Sequence, residues 1–123
     1  MDIQKISESE MEIMRIIWQH NAPISTGEIK KKLAEGEKKW ASTTVLTFLS
    51  RLTEKGVVTS QKNGASNIFT ANITERQYRN FETKKFIKSV HNGSPKSYVS
   101  ALFEDDEISR EDIEDLKKWF SEL

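Results

Sequence analysis

The sequence has no cysteine, two prolines and five glycines, and its 19 Lys and Arg are cancelled by 19 Asp and Glu. Without cysteine there is no disulfide framework, no thiolate metal site and no thiol nucleophile, and a cytoplasmic setting is the simplest expectation. Zero net charge removes the strongly basic footprint, a pI above about 9, that marks many nucleic-acid-binding domains. No apolar run approaches the roughly 20 residues needed to span a bilayer, and the first residues carry no apolar signal segment. Phosphate-cradling glycine loops are missing too. The two histidines, His20 and His91, stand alone at expected helix ends, where a His is an ordinary partner of the helix dipole. Neither catalysis nor a bound metal or cofactor is expected.

What is present is a helix-rich chain of 123 residues, 36% hydrophobic and 31% charged, the size of one domain or two small ones. Four helix starts share one device. Ser7-x-x-Glu10, Ser25-x-x-Glu28, Thr74-x-x-Gln77 and Ser109-x-x-Asp112 each offer a hydroxyl to the N3 amide and an N3 side chain to the cap amide. Isoleucine precedes every cap, and Met11, Ile29, Tyr78 and Ile113 follow at the spacing of a hydrophobic staple. These signals predict a first helix at 8–20 with Met11, Met14, Ile17 and Trp18 on its buried stripe. A second is predicted at 26–35, presenting Ile29 and Leu33 and ending at Gly36, a common residue just past a helix.

The stretch 40–56, WASTTVLTFLSRLTEKG, reads as a third helix. At about 100° per residue, Val45, Phe48, Leu49 and Leu52 share one face. The opposite face holds Thr43, Thr47, Ser50 and Glu54, with Leu46 and Arg51 at its margins. Short hydroxyl side chains let a helix approach another surface closely, and threonine adds a methyl, both useful against base edges in a major groove. Beyond Gly56, VVTSQK and NIFTAN are β-prone runs separated by Asn63-Gly64-Ala65-Ser66, a strong hairpin signal. Three helices and then a hairpin is the winged helix-turn-helix order, with the third helix in the groove and the hairpin on adjacent backbone. The candidate DNA-binding residues are Ser42, Thr43, Thr44, Leu46, Thr47, Ser50, Arg51, Lys55 and Lys62. Lys30, Lys31 and Lys32 read first as a solvated face.

Residues 73–123 form the rest, a helical half expected to follow a DNA-binding domain at 1–72. A fourth helix at 75–91 carries Tyr78, Phe81, Ile87 and Val90 until Asn92-Gly93 breaks it. Pro95 opens a fifth helix with Tyr98, Val99, Leu102 and Phe103, the acidic run 104–107 reads as a solvated loop, and a sixth helix follows at 110–122. About 50 residues cannot enclose so many apolar side chains alone. Tyr98, Leu102, Phe103, Leu116, Trp119 and Phe120 are therefore the candidate dimer contacts, in a symmetric homodimer. Charge divides the same way. Residues 1–72 hold ten Lys and Arg against eight Asp and Glu, and residues 73–123 hold nine against eleven.

The chain resembles the penicillinase and methicillin-resistance repressor family (BlaI/MecI) from about Ile6 to its end. The resemblance is carried by Met11-Glu12-Ile13-Met14, Ile16-Ile17-Trp18, Trp40, Arg51-Leu52-x-x-Lys55-Gly56, Asn92-Gly93, Ser97-x-Val99 and Ile108-Ser109-x-x-x-Ile113. It implies a mostly α fold, a winged helix-turn-helix followed by three helices that dimerise. It also implies a repressor of a palindromic double-stranded DNA operator, in a β-lactam-resistance-type or related operon. In that family a membrane sensor for β-lactams leads to cleavage of the repressor within the fifth helix, so a sensor-linked protease is an implied partner. Family members begin the third helix Ser-Pro-Lys-Thr where this chain has Ala41-Ser42-Thr43-Thr44, and their scissile Asn-Phe falls on Ala101-Leu102. The C-terminal cysteine pairs of copper-responsive relatives are missing. The alternative is a winged-helix protein-interaction module without specific DNA binding, which the zero net charge favours.

Overall fold

The computed structural model describes residues 3–104 and 108–123. Helix α1 (Glu8–Gln19) starts on Ser7, whose Oγ accepts from the Glu10 amide at 3.2 Å while Glu10 Oε1 accepts from the Ser7 amide at 2.8 Å. The same reciprocal pair opens α4 (Glu75–Val90) between Thr74 and Gln77 and α6 (Arg110–Ser121) between Ser109 and Asp112. At α2 (Thr26–Glu35) one half of the device forms, the Glu28 amide donating to Ser25 Oγ. Helix α5 (Pro95–Glu104) begins with Pro95 in its first turn, where a missing N–H costs nothing, and the Ser97 amide donates to Ser94 Oγ at 3.1 Å.

Helix α3 (Ser42–Glu54) lies inside the stretch 40–56 and closes on Lys55-Gly56. Gly56 takes φ +76°, its amide donates to the Thr53 carbonyl, and the Val57 amide donates to Leu52 at 3.2 Å. This is a Schellman closure, with buried Leu52 and Val57 as its apolar pair. The end of α2 departs from expectation. Gly36 stays at φ −89°, and the left-handed position falls to Glu37 at φ 65°. The Glu37 and Lys38 amides close onto Ala34 and Leu33, so the geometry expected of the glycine is carried one residue later by a side chain ill suited to it.

Strands β2 (Val58–Asn63) and β3 (Ser66–Ala71) form the hairpin, with Asn63 opposite Ser66. The two-residue loop is therefore Gly64-Ala65, and Gly64 at φ +68° fills the first central position that a type II′ turn reserves for glycine. A strand with no sequence signature, β1 (Ile24–Ser25), pairs antiparallel with β3, giving the order β1-β3-β2.

Met1–Glu82 and Thr83–Leu123 form two compact units. In the first, α1 packs against α2, α3 and β3, and the core gathers Ile13, Met14, Ile17, Ile29, Leu49 and Leu52 with their neighbours. Ile13 belongs to this core although it lies off the predicted stripe. Met11 and Trp18 are half-buried at its margin, because the buried stripe of α1 runs through Glu10, Ile13, Met14 and Ile17. The division lies beyond the boundary at 72/73 read from the sequence. Ile73 and Tyr78 are buried in the first core, Tyr78 Oη accepts from the Ile6 amide at 2.8 Å, and Trp18 Nε1 donates to the Ile73 carbonyl at 2.9 Å. The start of α4 is thereby fastened to the winged helix. In the second unit no described residue is fully buried. Phe86, His91 and Tyr98 make edge-on ring contacts there, and Trp119 and Phe120 remain 55% and 63% exposed. The acidic run read as a loop falls on 105–107, outside the described residues, apart from Glu104 at the end of α5.

Candidate nucleic-acid interface

The site is built on α3, which buries Val45, Leu49 and Leu52 and turns Ser42, Thr43, Thr44, Leu46, Thr47, Ser50 and Arg51 to solvent. The alternation follows from the apolar spacing, which anchors one side and leaves a face of short side chains. Trp40 holds the entry to the helix through its ring contact with Phe48 at 5.4 Å. Thr47 Oγ1 donates to the Thr43 carbonyl at 2.8 Å, whereas the hydroxyls of Thr43, Thr44 and Ser50 have no partner among the described residues. Arg51 lies over the Phe48 ring at 5.6 Å, a cation–π contact that steadies the guanidinium near the helix margin.

Lys55 sits elsewhere than the sequence reading placed it. Its ammonium donates to Glu10 Oε1 at 2.5 Å and to the Lys5 carbonyl at 2.8 Å, with 23% of the side chain exposed. This ties the end of α3 to the start of α1. Glu10 is buried, and one carboxylate oxygen, Oε2, has no partner among the described residues. Burial alone would push its carboxyl pKa upward. The Lys55 hydrogen bond, the Ser7 amide and hydroxyl and the Lys55 charge outweigh that and hold it below the ordinary 4.5. Glu10 is thus a cap residue and a buried counter-ion at once.

Lysines outside the candidate DNA-binding set cluster at the other end of α3. Lys30 Nζ donates to Ser42 Oγ at 2.7 Å. With Lys38, Lys39, Trp40 and Ala41 it lines an open groove of about 460 Å³. The helix starts on Ala41 without a side-chain cap and with no acid in its first turn, and of these lysines Lys38 has a carboxylate beside it, Glu12 Oε1 at 4.0 Å. A signal was available, since five of the ten cations of residues 1–72 lie between 30 and 39. Lys62 is exposed on β2, opposite Asn67 of β3. A second cleft, about 340 Å³, runs between α3 and the hairpin and is lined by Leu46, Ser50, Ser60, Asn67 and Phe69 among others. The described residues hold no group of three or more His, Asp or Glu able to bind a metal, and no helix long and apolar enough to cross a membrane.

A helix bearing a short-chained face, a protruding hairpin beside it and lysines at its start define a winged helix-turn-helix protein of the DNA-binding kind. The family model of the penicillinase repressors matches residues 6–122, and the chain belongs to that family. It is 35% identical over 114 residues to the penicillinase repressor of Bacillus licheniformis, covering 93% of this chain and 88% of that one. It is 27% identical over 113 residues to the methicillin resistance regulatory protein MecI of Staphylococcus aureus strain N315, covering 92% and 90%. The solution structure of the DNA-binding domain of the repressor BlaI matches with TM-score 0.55 at 38% identity, over 63% of this chain and 92% of that one. Monomeric Bacillus licheniformis BlaI in complex with the blaP half-operator matches with TM-score 0.52 over the same shares.

Proposed function

We propose that this chain, a DNA-binding transcriptional repressor, works as a cytoplasmic homodimer on a two-fold operator. Each α3 enters a major groove, and each hairpin lies on the neighbouring backbone. The exposed face from Ser42 to Ser50 carries this reading, because Ser42, Thr43, Thr44, Thr47 and Ser50 are short where close approach is needed. Thr43, Thr44 and Thr47 read bases, with Ser42, Leu46 and Ser50 beside them. Arg51, Lys62, Lys30, Lys38 and Lys39 meet phosphates. Lys55 is left out of that set, since Glu10 and the Lys5 carbonyl already hold its ammonium. Pairing of the two chains falls to Tyr98, Leu102, Phe103, Leu116, Trp119 and Phe120, an apolar set half-buried or exposed in the single chain.

Release from DNA follows from the same arrangement. Ala101 and Leu102 are half-buried in α5. A cut between them would detach α6 and its share of the dimer contacts, and with them the bivalent advantage. The sensor-linked protease implied by the family would have to accept Ala-Leu in place of Asn-Phe. Fragment mapping by mass spectrometry after β-lactam treatment of cells tests this branch. A fragment ending at Ala101 supports it, and full derepression with an intact chain rejects it.

Binding to a randomised duplex library tests the main reading. Thr43→Ala and Thr47→Ala should relax preference at particular positions by about 1 kcal/mol, at or below a good bidentate base contact. Arg51→Ala should weaken all sequences alike and lower the salt slope by about 1. Salt-insensitive binding without any sequence preference would favour a protein-docking winged helix instead.

A further inference from the structure

Helix α3 lacks the usual readers of purine edges. Residues 42–50 contain no Arg, Lys, Asn or Gln, the groups that bond guanine or adenine in pairs of hydrogen bonds. The one cation of the helix, Arg51, lies over the Phe48 ring. Among the side chains left on this surface is an apolar one. Leu46 is 46% exposed in mid-helix and lines the cleft between α3 and the hairpin. Beside it the Thr47 hydroxyl has already given its proton to the Thr43 carbonyl, so Thr47 offers a methyl and acceptor lone pairs.

In the major groove one base presents an apolar group, the C5-methyl of thymine. We propose that Leu46, with the Thr47 methyl, reads thymine methyl groups, so that part of this repressor's operator preference depends on methyl contacts centred on Leu46. The inference rests on α3 being the recognition helix and adds which chemical group of the operator it recognises. An isolated exposed leucine is common on protein surfaces, so the methyl group itself must be varied.

The experiment uses the full chain. A duplex sequence is first selected from a randomised library, then remade with deoxyuridine at one thymine at a time, which removes only the methyl. The expected result is a loss of about fourfold in affinity at one thymine per half-site, the effect of one buried carbon. Leu46→Ala, at an exposed position, should fold normally and abolish that thymine-over-uracil ratio while still binding the duplex. A defined selected sequence that tolerates deoxyuridine everywhere would overturn the methyl reading and leave the DNA-binding reading intact. A ratio unchanged by Leu46→Ala would overturn the assignment to Leu46. Selection that enriches no sequence would overturn both readings.

Discussion

The two units of the chain spend their apolar residues differently. Met1–Glu82 closes a core of fully buried side chains drawn from α1, α2, α3, the sheet and the start of α4. Thr83–Leu123 has two helices, α5 and α6, with no buried residue, and Leu116, Trp119, Phe120 and Leu123 exposed. A unit that satisfies itself can devote its surface to small hydroxyls and cations. A unit that leaves such side chains exposed fits the pairing proposed above, in which a second copy of the same chain would cover them. Under the proposed function the contrast separates reading from pairing, and substitutions can be aimed at each.

The largest effect is expected where pairing fails. Trp119→Ala with Phe120→Ala should shift the chain to monomer and lower affinity for a full operator by roughly 10²–10⁴, the loss of effective concentration, with half-site affinity unchanged. Sedimentation velocity and titration of both duplexes check it. An undiminished full-operator affinity would remove the division of labour.

Next come changes at the tie between α1 and α3. Lys55→Met strands the buried Glu10 carboxylate and should cost about 3 kcal/mol in chemical denaturation, the lower end for one partner of a buried pair because Lys55 keeps some exposure. Glu10→Gln should cost less, since Lys55 can turn to solvent. Glu10 titrates lower in the folded than in the unfolded chain. Its contribution is therefore present above the ordinary carboxylate range and lost as pH falls through the folded value. That part of the acid destabilisation should vanish in Glu10→Gln. The smallest effect belongs to Glu37→Gly, which relieves a left-handed φ of 65° and should stabilise by about 1 kcal/mol.

Much of the fold could be read from local chemistry. Ser7, Thr74 and Ser109 cap as their spacing requires, and the Schellman glycine after α3 and the hairpin after it follow from Gly56 and Asn63-Gly64. What escaped was non-local. Two residues cannot show a strand period, so β1 is visible only through its pairing with β3. Glu10 announces itself as a cap residue, and nothing in its neighbours reveals a lysine 45 positions away as its counter-ion. Lys30 is exposed, as a solvated face requires, but its hydrogen bond to Ser42 depends on α2 and α3 lying side by side. At the interface the exposed set on α3 was legible from helical period, whereas which hydroxyls are occupied was not. Thr47 and Thr43 lie on the same face, and only the folded helix shows that one has bonded to the other's carbonyl.

The separation of reading from pairing is tested most directly by a fragment of residues 1–82, ending where the first unit ends and keeping Ile73 and Tyr78 in its core. The expected result is a cooperatively folded monomer at micromolar concentration that binds an operator half-site as tightly as one protomer of the full chain does. A fragment that sediments as a dimer, or that folds and no longer binds the half-site, would contradict it.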